Sequence, residues 1–542
     1  NTQQDKTNIS SSSPSRKKSG AKALSPRKRR RDSTMNSTAE LVYQCRLLNN
    51  QNLYASAASL ASFAVGNTQQ DIEVFVVYGN SLFGLGEYKR AIGAYRRAQE
   101  LMSMSRDADA TDILWKLSEC HRQVGDFSAQ LSALEAIPAE SRNAVMNISL
   151  GKLYQRLNIE SVAVSCLLDA LEACPLAIEA VETLAILNVK EQDIVSRILK
   201  HGTQFSWLVP FVTAKVQAAQ ADHRAALETL KNLAHQFPDN SELCCAVGVC
   251  QLEVGNLQDA INNFAQARKL EPHGVKDMDQ YAQALLAAGD AGTLNQLTHS
   301  LLEAAPGRPE GWLAGSMYMQ LKDDRDKAIE YADKAIQVDP RFQEGFLRKG
   351  ALLLDRGQHE LALGTFRKAL EVRRSVGAYQ GAVRSFIALE RVKEALSSAK
   401  EALQRMPRNG KAFWLVGLAL SQLPEGLEKA KVALDRARQM NPACPDTISA
   451  LVDVLMQQER LEEAAEQLVA FLRIRDRDDF HARLADVYVR IHKYDLALNE
   501  YHKALALNPR LEAARAGLDR LEALIKARDR QGTNMSHELD DG

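Results

Sequence analysis

Pro238, Pro272, Pro306 and Pro340 stand 34 residues apart three times in succession, and each closes a segment whose apolar residues fall at helical spacing. Proline cannot continue a helix, so it marks where each unit must stop. A fixed period of this length means that the chain is one short motif repeated. Such a unit cannot bury its own apolar face, and neighbours must stack to share a core.

The period and its residue pattern are those of a tetratricopeptide array, in which each repeat is a helix-turn-helix. The expected fold class is therefore all-α, a tetratricopeptide-repeat superhelical solenoid of about thirteen helix pairs. The lattice of small and large residues supports the register. One middle unit holds Gly248, Ala260, Phe264, Ala267 and Pro272, and another holds Gly350, Ala362, Phe366 and Ala369. Glycine or alanine where two helices cross lets the backbones approach, and the aromatic residue fills the gap beside them. These residues report architecture and do not by themselves point to a ligand.

The pattern divides the chain into a basic, serine-rich tail over 1–37, an N-terminal repeat half over 38–240 and a C-terminal half over 241–510. A capping helix over 511–530 and a polar tail over 531–542 follow. The unit from Thr111 is weak, and Leu176 to Ser206 reads as a degenerate helix pair out of register. The tail has eight serines and no aromatic residue by position 33, so it is expected to be disordered. Because the chain opens on Asn1, a start upstream of it is expected as well.

Net charge is zero for the whole chain. Residues 1 to 33, however, carry five Lys and five Arg against Asp5 and Asp32, a local +8, which leaves −8 on the remainder. A mildly acidic repeat body argues against nucleic-acid binding, which needs a basic stripe along the contact face. No run of about 18 apolar residues suggests a membrane span, and no leader pattern opens the chain, so an intracellular protein is expected. The eight cysteines include no CxxC pair and fit reduced, buried thiols.

Motifs that carry chemistry are sparse. There is no phosphate-binding loop and no HExxH, so neither a cofactor nor a metal is expected. His481, His492 and His502 sit at helical surface spacing. A carboxylate-clamping co-chaperone would need a lysine near Asn80, where Phe75 and Val76 stand instead. In the tail, Ser13 and Ser25 each precede a proline and a nearby basic residue, which makes them candidate phosphorylation sites. The run Arg27, Lys28, Arg29, Arg30 and Arg31 is of nuclear-localisation type.

Particular stretches resemble one family. They are Asn147 to Leu184, with Leu153-Tyr154-Gln155 and Cys174-Pro175-Leu176; Phe264 to Leu285, with Lys276-Asp277-Met278-Asp279; Trp312 to Ala369; and His481 to Asn508. Together they are similar to the subunit 7 family of the anaphase-promoting complex, or cyclosome, over most of residues 70 to 510. The basic tail departs from that pattern. The resemblance implies a non-enzymatic scaffold in a cell-cycle ubiquitin ligase. It implies a homodimer formed through the N-terminal half and a C-terminal groove for other repeat subunits, with a location in nucleus and cytoplasm. Other tetratricopeptide subunits of the same complex, a co-chaperone adaptor for acidic C-terminal peptides, and a repeat-bearing enzyme lacking its catalytic part are the alternatives.

Overall fold

The computed structural model of the protein describes residues 26–67, 70–103, 110–200, 205–407 and 409–524, with side chains from residue 38 onward. Contacts divide the chain into two compact units, one up to Ala170 and one from Leu171. The halves drawn from the sequence, by contrast, meet at 240/241.

The N-terminal unit runs α1 (Pro26–Asn50), α2 (Tyr54–Asn67), α3 (Ile72–Gly84), α4 (Tyr88–Ser103), α5 (Thr111–Val124), α6 (Phe127–Glu135), α7 (Ala144–Arg156) and most of α8 (Glu160–Ala173). Helix α1 begins inside the stretch that the sequence assigns to the tail. The C-terminal unit opens with α9 (Ile178–Ile186) and α10 (Glu191–Leu199), which form the degenerate pair. At nine residues each they are too short to hold the register of their neighbours. Regular pairs follow: α11 (Leu208–Ala219) with α12 (His223–Gln236), α13 (Ser241–Val254) with α14 (Leu257–Leu270), α15 (Met278–Ala288) with α16 (Ala291–Ala304), and α17 (Pro309–Leu321) with α18 (Arg325–Val338). The unit continues with α19 (Gln343–Asp355) and α20 (His359–Val372), α21 (Val376–Ala388) and α22 (Val392–Arg405), and α23 (Gly410–Leu420) and α24 (Leu427–Met440). It ends with α25 (Pro445–Gln457) and α26 (Leu461–Leu472), then α27 (Asp478–Arg490) and α28 (Tyr494–Leu507). The described residues thus form an all-α array of fourteen pairs, one more than the spacing suggested, and a further helix over 512–524 packs on α28 through Ala514 and Leu521.

Each of the four register prolines lies two residues beyond the end of a B helix, namely α12, α14, α16 and α18. The turn from A to B helix has its own rule. Its last residue adopts positive φ at Asn52, Gly86, Gly125, Asn158, Asn188, Ala221, Gly255, Gly289, Asp323, Gly357, Glu390, Glu459 and His492. The left-handed conformation ends the A helix and turns the chain back. In four of these turns the next residue caps the B helix: Asp126, Asp222, Asp290 and Asp324 accept from the backbone N–H of Ala129, Ala225, Thr293 and Lys327. The α23–α24 connection differs, using a short 3₁₀ turn over Pro424–Gly426.

Packing follows a glycine-to-bulky-residue pairing. A Cβ on Gly248 would sit 3.1 Å from the Phe264 ring, one on Gly350 2.6 Å from Phe366, and one on Gly79 2.6 Å from Tyr95. Each pair lies sixteen residues apart, so the A helix rides directly on the B-helix ring. Ala260, Ala267, Ala362 and Ala369 are buried at the same crossings. In the C-terminal unit one continuous core runs from Leu353 through Phe366, Tyr379, Trp414 and Phe471 to Val487.

Candidate functional site

In the C-terminal unit the A helices pack side by side, and their polar residues form a charged row built from successive repeats. Lys215 on α11 places its Nζ 3.4 Å from Glu182 on α9 and 3.7 Å from Glu242 on α13. Lys276, just ahead of α15, reaches the same two carboxylates at 3.3 and 2.9 Å. Burial works to raise the pKa of Glu242, but the hydrogen bond and charge of Lys276 with the charge of Lys215 outweigh it and hold the carboxyl low. Single exposed pairs are worth little; a closed ring of two carboxylates and two ammoniums shares its ordering cost among four side chains.

Acidic groups then gather along α15, α17 and α19. Glu310 is buried and pairs with Arg308 at 2.7 Å, while Glu344 pairs with Arg373 at 3.0 Å. Asp279 has no cation partner among the described residues. Its Oδ2 accepts from Gln280 Nε2 at 3.1 Å. Burial first, then the charges of Glu344 and Asp277, push its carboxyl up to about 7.

The sign of the row changes on α19 and α21. Arg348 Nη2 donates to Gln320 Oε1 on α17, and this is its one hydrogen bond among the described residues. Its Nε is buried without a partner. Burial pulls its pKa down to about 10, and the charge of Asp355 only partly offsets that. On the next A helix, the exposed Arg384 places its guanidinium 5.8 Å from the centre of the Trp414 ring, with no carboxylate partner among the described residues.

A second feature joins repeats far apart in sequence. Lys411 at the start of α23 lies 3.1 Å from Glu253 near the end of α13. Arg475, in the loop after α26, donates from Nη2 to the Gly255 carbonyl at 2.8 Å and from Nη1 to Ala443 at 3.5 Å. Burial acts to raise the pKa of Glu253, yet Lys411 and His223 hold it low; burial acts to lower that of Lys411, yet Glu253 holds it high. No apolar cluster spans this seam among the described residues.

Ser13 and Ser25 lie outside the described residues. The run Arg27 to Arg31 falls within α1, and its side chains also lie outside them. His481 is not a surface residue: it is buried, with Nε2 2.7 Å from Asp476 Oδ1 and Nδ1 2.5 Å from Glu500 Oε2. Asn80 accepts from the Tyr95 hydroxyl at 2.7 Å, an internal use that leaves it a packing residue. Among the described residues no group of three His, Cys, Asp or Glu is placed to hold a metal ion, and no helix is long and apolar enough to cross a membrane. The seam and the ring's closing contact were not readable in the sequence, because Lys276 and Glu182 are 94 residues apart, Lys411 and Glu253 158, and Arg475 and Gly255 220, and no local pattern links them.

Helix pairs stacked on a glycine-aromatic lattice, with a polar A-helix face, define a tetratricopeptide-repeat protein. A family model for the tetratricopeptide repeat matches residues 322–378. Anaphase-promoting complex subunit 7 of Arabidopsis thaliana is 30% identical over 526 residues, covering 89% of this chain and 94% of the plant protein. The Dictyostelium discoideum protein of the same name is 24% identical, with 92% of each chain covered. The chain belongs to the anaphase-promoting complex subunit 7 family. Its fold is also that of the crystal structure of the APC/C hetero-tetramer Cut9-Hcn1, with a TM-score of 0.55 at 16% identity over 90% of this chain and 98% of that one.

Proposed function

We propose that this subunit of the anaphase-promoting complex is a non-catalytic scaffold that forms a homodimer through its N-terminal half and holds neighbouring repeat subunits on the A-helix face of its C-terminal half. The observation that carries this reading is the similarity to subunit 7 over nearly the whole length of both chains. Two structural features support the division of labour. The first helix pair leaves Tyr43 and Leu47, one helical turn apart on α1, and Leu53 and Phe63 beside them in sequence exposed to solvent, with Phe63 70% exposed. Apolar surface of that kind is what an isologous two-fold contact buries. The C-terminal unit instead presents the charged row, which suits polar, register-setting contacts with partner chains. The basic run Arg27 to Arg31 supports import, and we place the protein in nucleus and cytoplasm.

Sedimentation equilibrium of the full chain tests the dimer. The wild type is expected at twice the chain mass and Phe63→Asp with Tyr43→Asp at the single mass; a wild-type monomer at micromolar concentration removes this part of the reading.

A further inference from the structure

We infer that the outward faces of α20, α22 and α24 form a docking surface for an acidic segment of a partner chain whose carboxylates alternate with apolar side chains. The surface lies on B helices, away from the A-helix row, and does not depend on it. Ala362, Phe366, Ala395 and Ala430 are buried on the inner side of these three helices, so the opposite positions face out. There the exposed cations are Arg367 and Lys368 on α20, Lys393 and Lys400 on α22, and Lys429 and Arg436 on α24. Lys368 and Arg436 are 68 residues apart, two periods of 34, and so hold the same place on their helices. On α22 and again on α24 the two cations stand seven residues apart, two turns along one face.

The charge of this band is left over. Glu360 and Glu394 both face Arg391, at 3.9 and 2.7 Å, Glu401 lies 3.6 Å from Arg405, and Asp435 lies 3.4 Å from Arg438. Arg367 rests over the Phe386 ring, and Arg436 donates to the neutral Gln439 side chain. None of the six exposed cations pairs with a carboxylate among the described residues. The adjoining B helices do not share the surplus: Lys327 and Lys334 on α18 are held by Asp324 and Glu330, and α26 turns Glu462 and Glu466 outward. Unpaired like charges on three neighbouring helices repel one another, and a complementary anionic chain relieves that. Two apolar side chains stand among them, Leu361 at 61% and Val432 at 70% exposure. One turn beyond Leu361, Gly364 opens the outward face of α20, and no atom of this chain fills the space above it. A nucleic-acid backbone would bring phosphates against Leu361, Val432 and the exposed Glu371 as well as the cations. A polypeptide can place carboxylates on the cations and apolar groups between them.

A displayed library of random hexadecapeptides selected on the immobilised full-length protein tests this. Enriched peptides are expected to carry Asp or Glu separated by apolar residues and to lose affinity as salt rises. They should bind the Lys368→Glu/Lys400→Glu/Arg436→Glu variant about ten-fold or more weakly, and Val432→Ser by a smaller factor. All four positions are exposed, so both variants should keep the wild-type melting temperature. Lys231→Glu with Lys269→Glu, which reverses exposed cations on α12 and α14, should leave binding unchanged. Peptides without acidic preference, acidic peptides indifferent to the triple substitution, or no enrichment at all overturn the surface. A random-sequence single-stranded oligonucleotide that binds the wild type more tightly than the best peptide, and loses that binding in the triple variant, overturns the choice of a polypeptide partner.

Discussion

Arg475 and Gly255 are 220 residues apart, yet the Arg475 Nη2 donates to the Gly255 carbonyl at 2.8 Å. Gly255 is the positive-φ residue that ends α13, with φ of 94°, and a Cβ there would run into the Arg475 guanidinium. The turn that stops one A helix therefore also docks a loop six pairs further on.

Because this seam is polar, it should respond to salt and charge. Exposed ion pairs contribute about 0–1 kcal/mol, so Lys411→Glu with Arg475→Glu should open it without unfolding either side. Spin labels on α13 and α23 are expected to move apart in the variant, and the Lys411→Glu, Glu253→Lys exchange should restore part of the wild-type distance. An unchanged distance would show that core stacking alone sets the curvature of this unit.

Crossing geometry predicts sensitivity to small increases in volume. Gly350→Ala presses a methyl against Phe366, and Ala362→Trp forces an indole into a fully buried site. Each should cost on the order of 1–3 kcal/mol. Phe366→Leu should relieve much of the Gly350→Ala penalty, since the two side chains share one contact. Urea midpoints of the two single variants and the double measure this, and a neutral Ala362→Trp would place the register elsewhere.

Positive φ at non-glycine turn residues predicts the opposite sign. Ala221 and Glu390 hold φ of 64° and 59° at A-to-B turns. Left-handed backbone costs a β-carbon-bearing residue about 1–2 kcal/mol, part of which glycine returns as unfolded-state entropy. Ala221→Gly and Glu390→Gly should each raise the midpoint by a net of roughly 0.5–1 kcal/mol. Destabilisation by either would mean that the side chain contributes more through contact than the backbone loses through strain.

Asp279 predicts a pH dependence. Its folded carboxyl titrates near 7 against an ordinary value of 3.8. Between those values the folded state keeps a proton that the unfolded chain has released, so stability falls as pH rises through that window. Asp279→Asn removes the effect and should melt above the wild type at pH 8, with the difference gone by pH 4. Glu242 runs the other way: its depressed folded pKa gives stability that is present above about 4.5 and lost on acidification. A pH-independent difference between Asp279→Asn and wild type would place the carboxyl in contact with solvent.

What the sequence disclosed and what it hid divide along one physical line. Pro272, Gly248 and Phe264 belong to a single repeat, so their spacing alone reveals the pair they build. The A-to-B turns were harder, because the rule there is a backbone conformation and not a residue type. Glycine announces it at 86, 125, 255, 289 and 357, whereas Asn158, Asn188 and Ala221 satisfy it without that signal. The stretch from Leu176 to Ser206 looked out of register because α9 and α10 are only nine residues each and each packs on α11. His481 looked like a surface residue because only the tertiary fold brings Glu500 to its ring. Arg348 and Lys411 carry no local mark at all, since each is defined by a residue on another repeat.

Membership in the assembled ligase is tested by gentle affinity purification of the tagged full chain from dividing cells, with quantitative mass spectrometry of what accompanies it. Recovery of other tetratricopeptide-repeat subunits of the anaphase-promoting complex in near-equal amounts is the expected result. A chain that purifies alone, or with chaperones in place of those subunits, would rule that membership out.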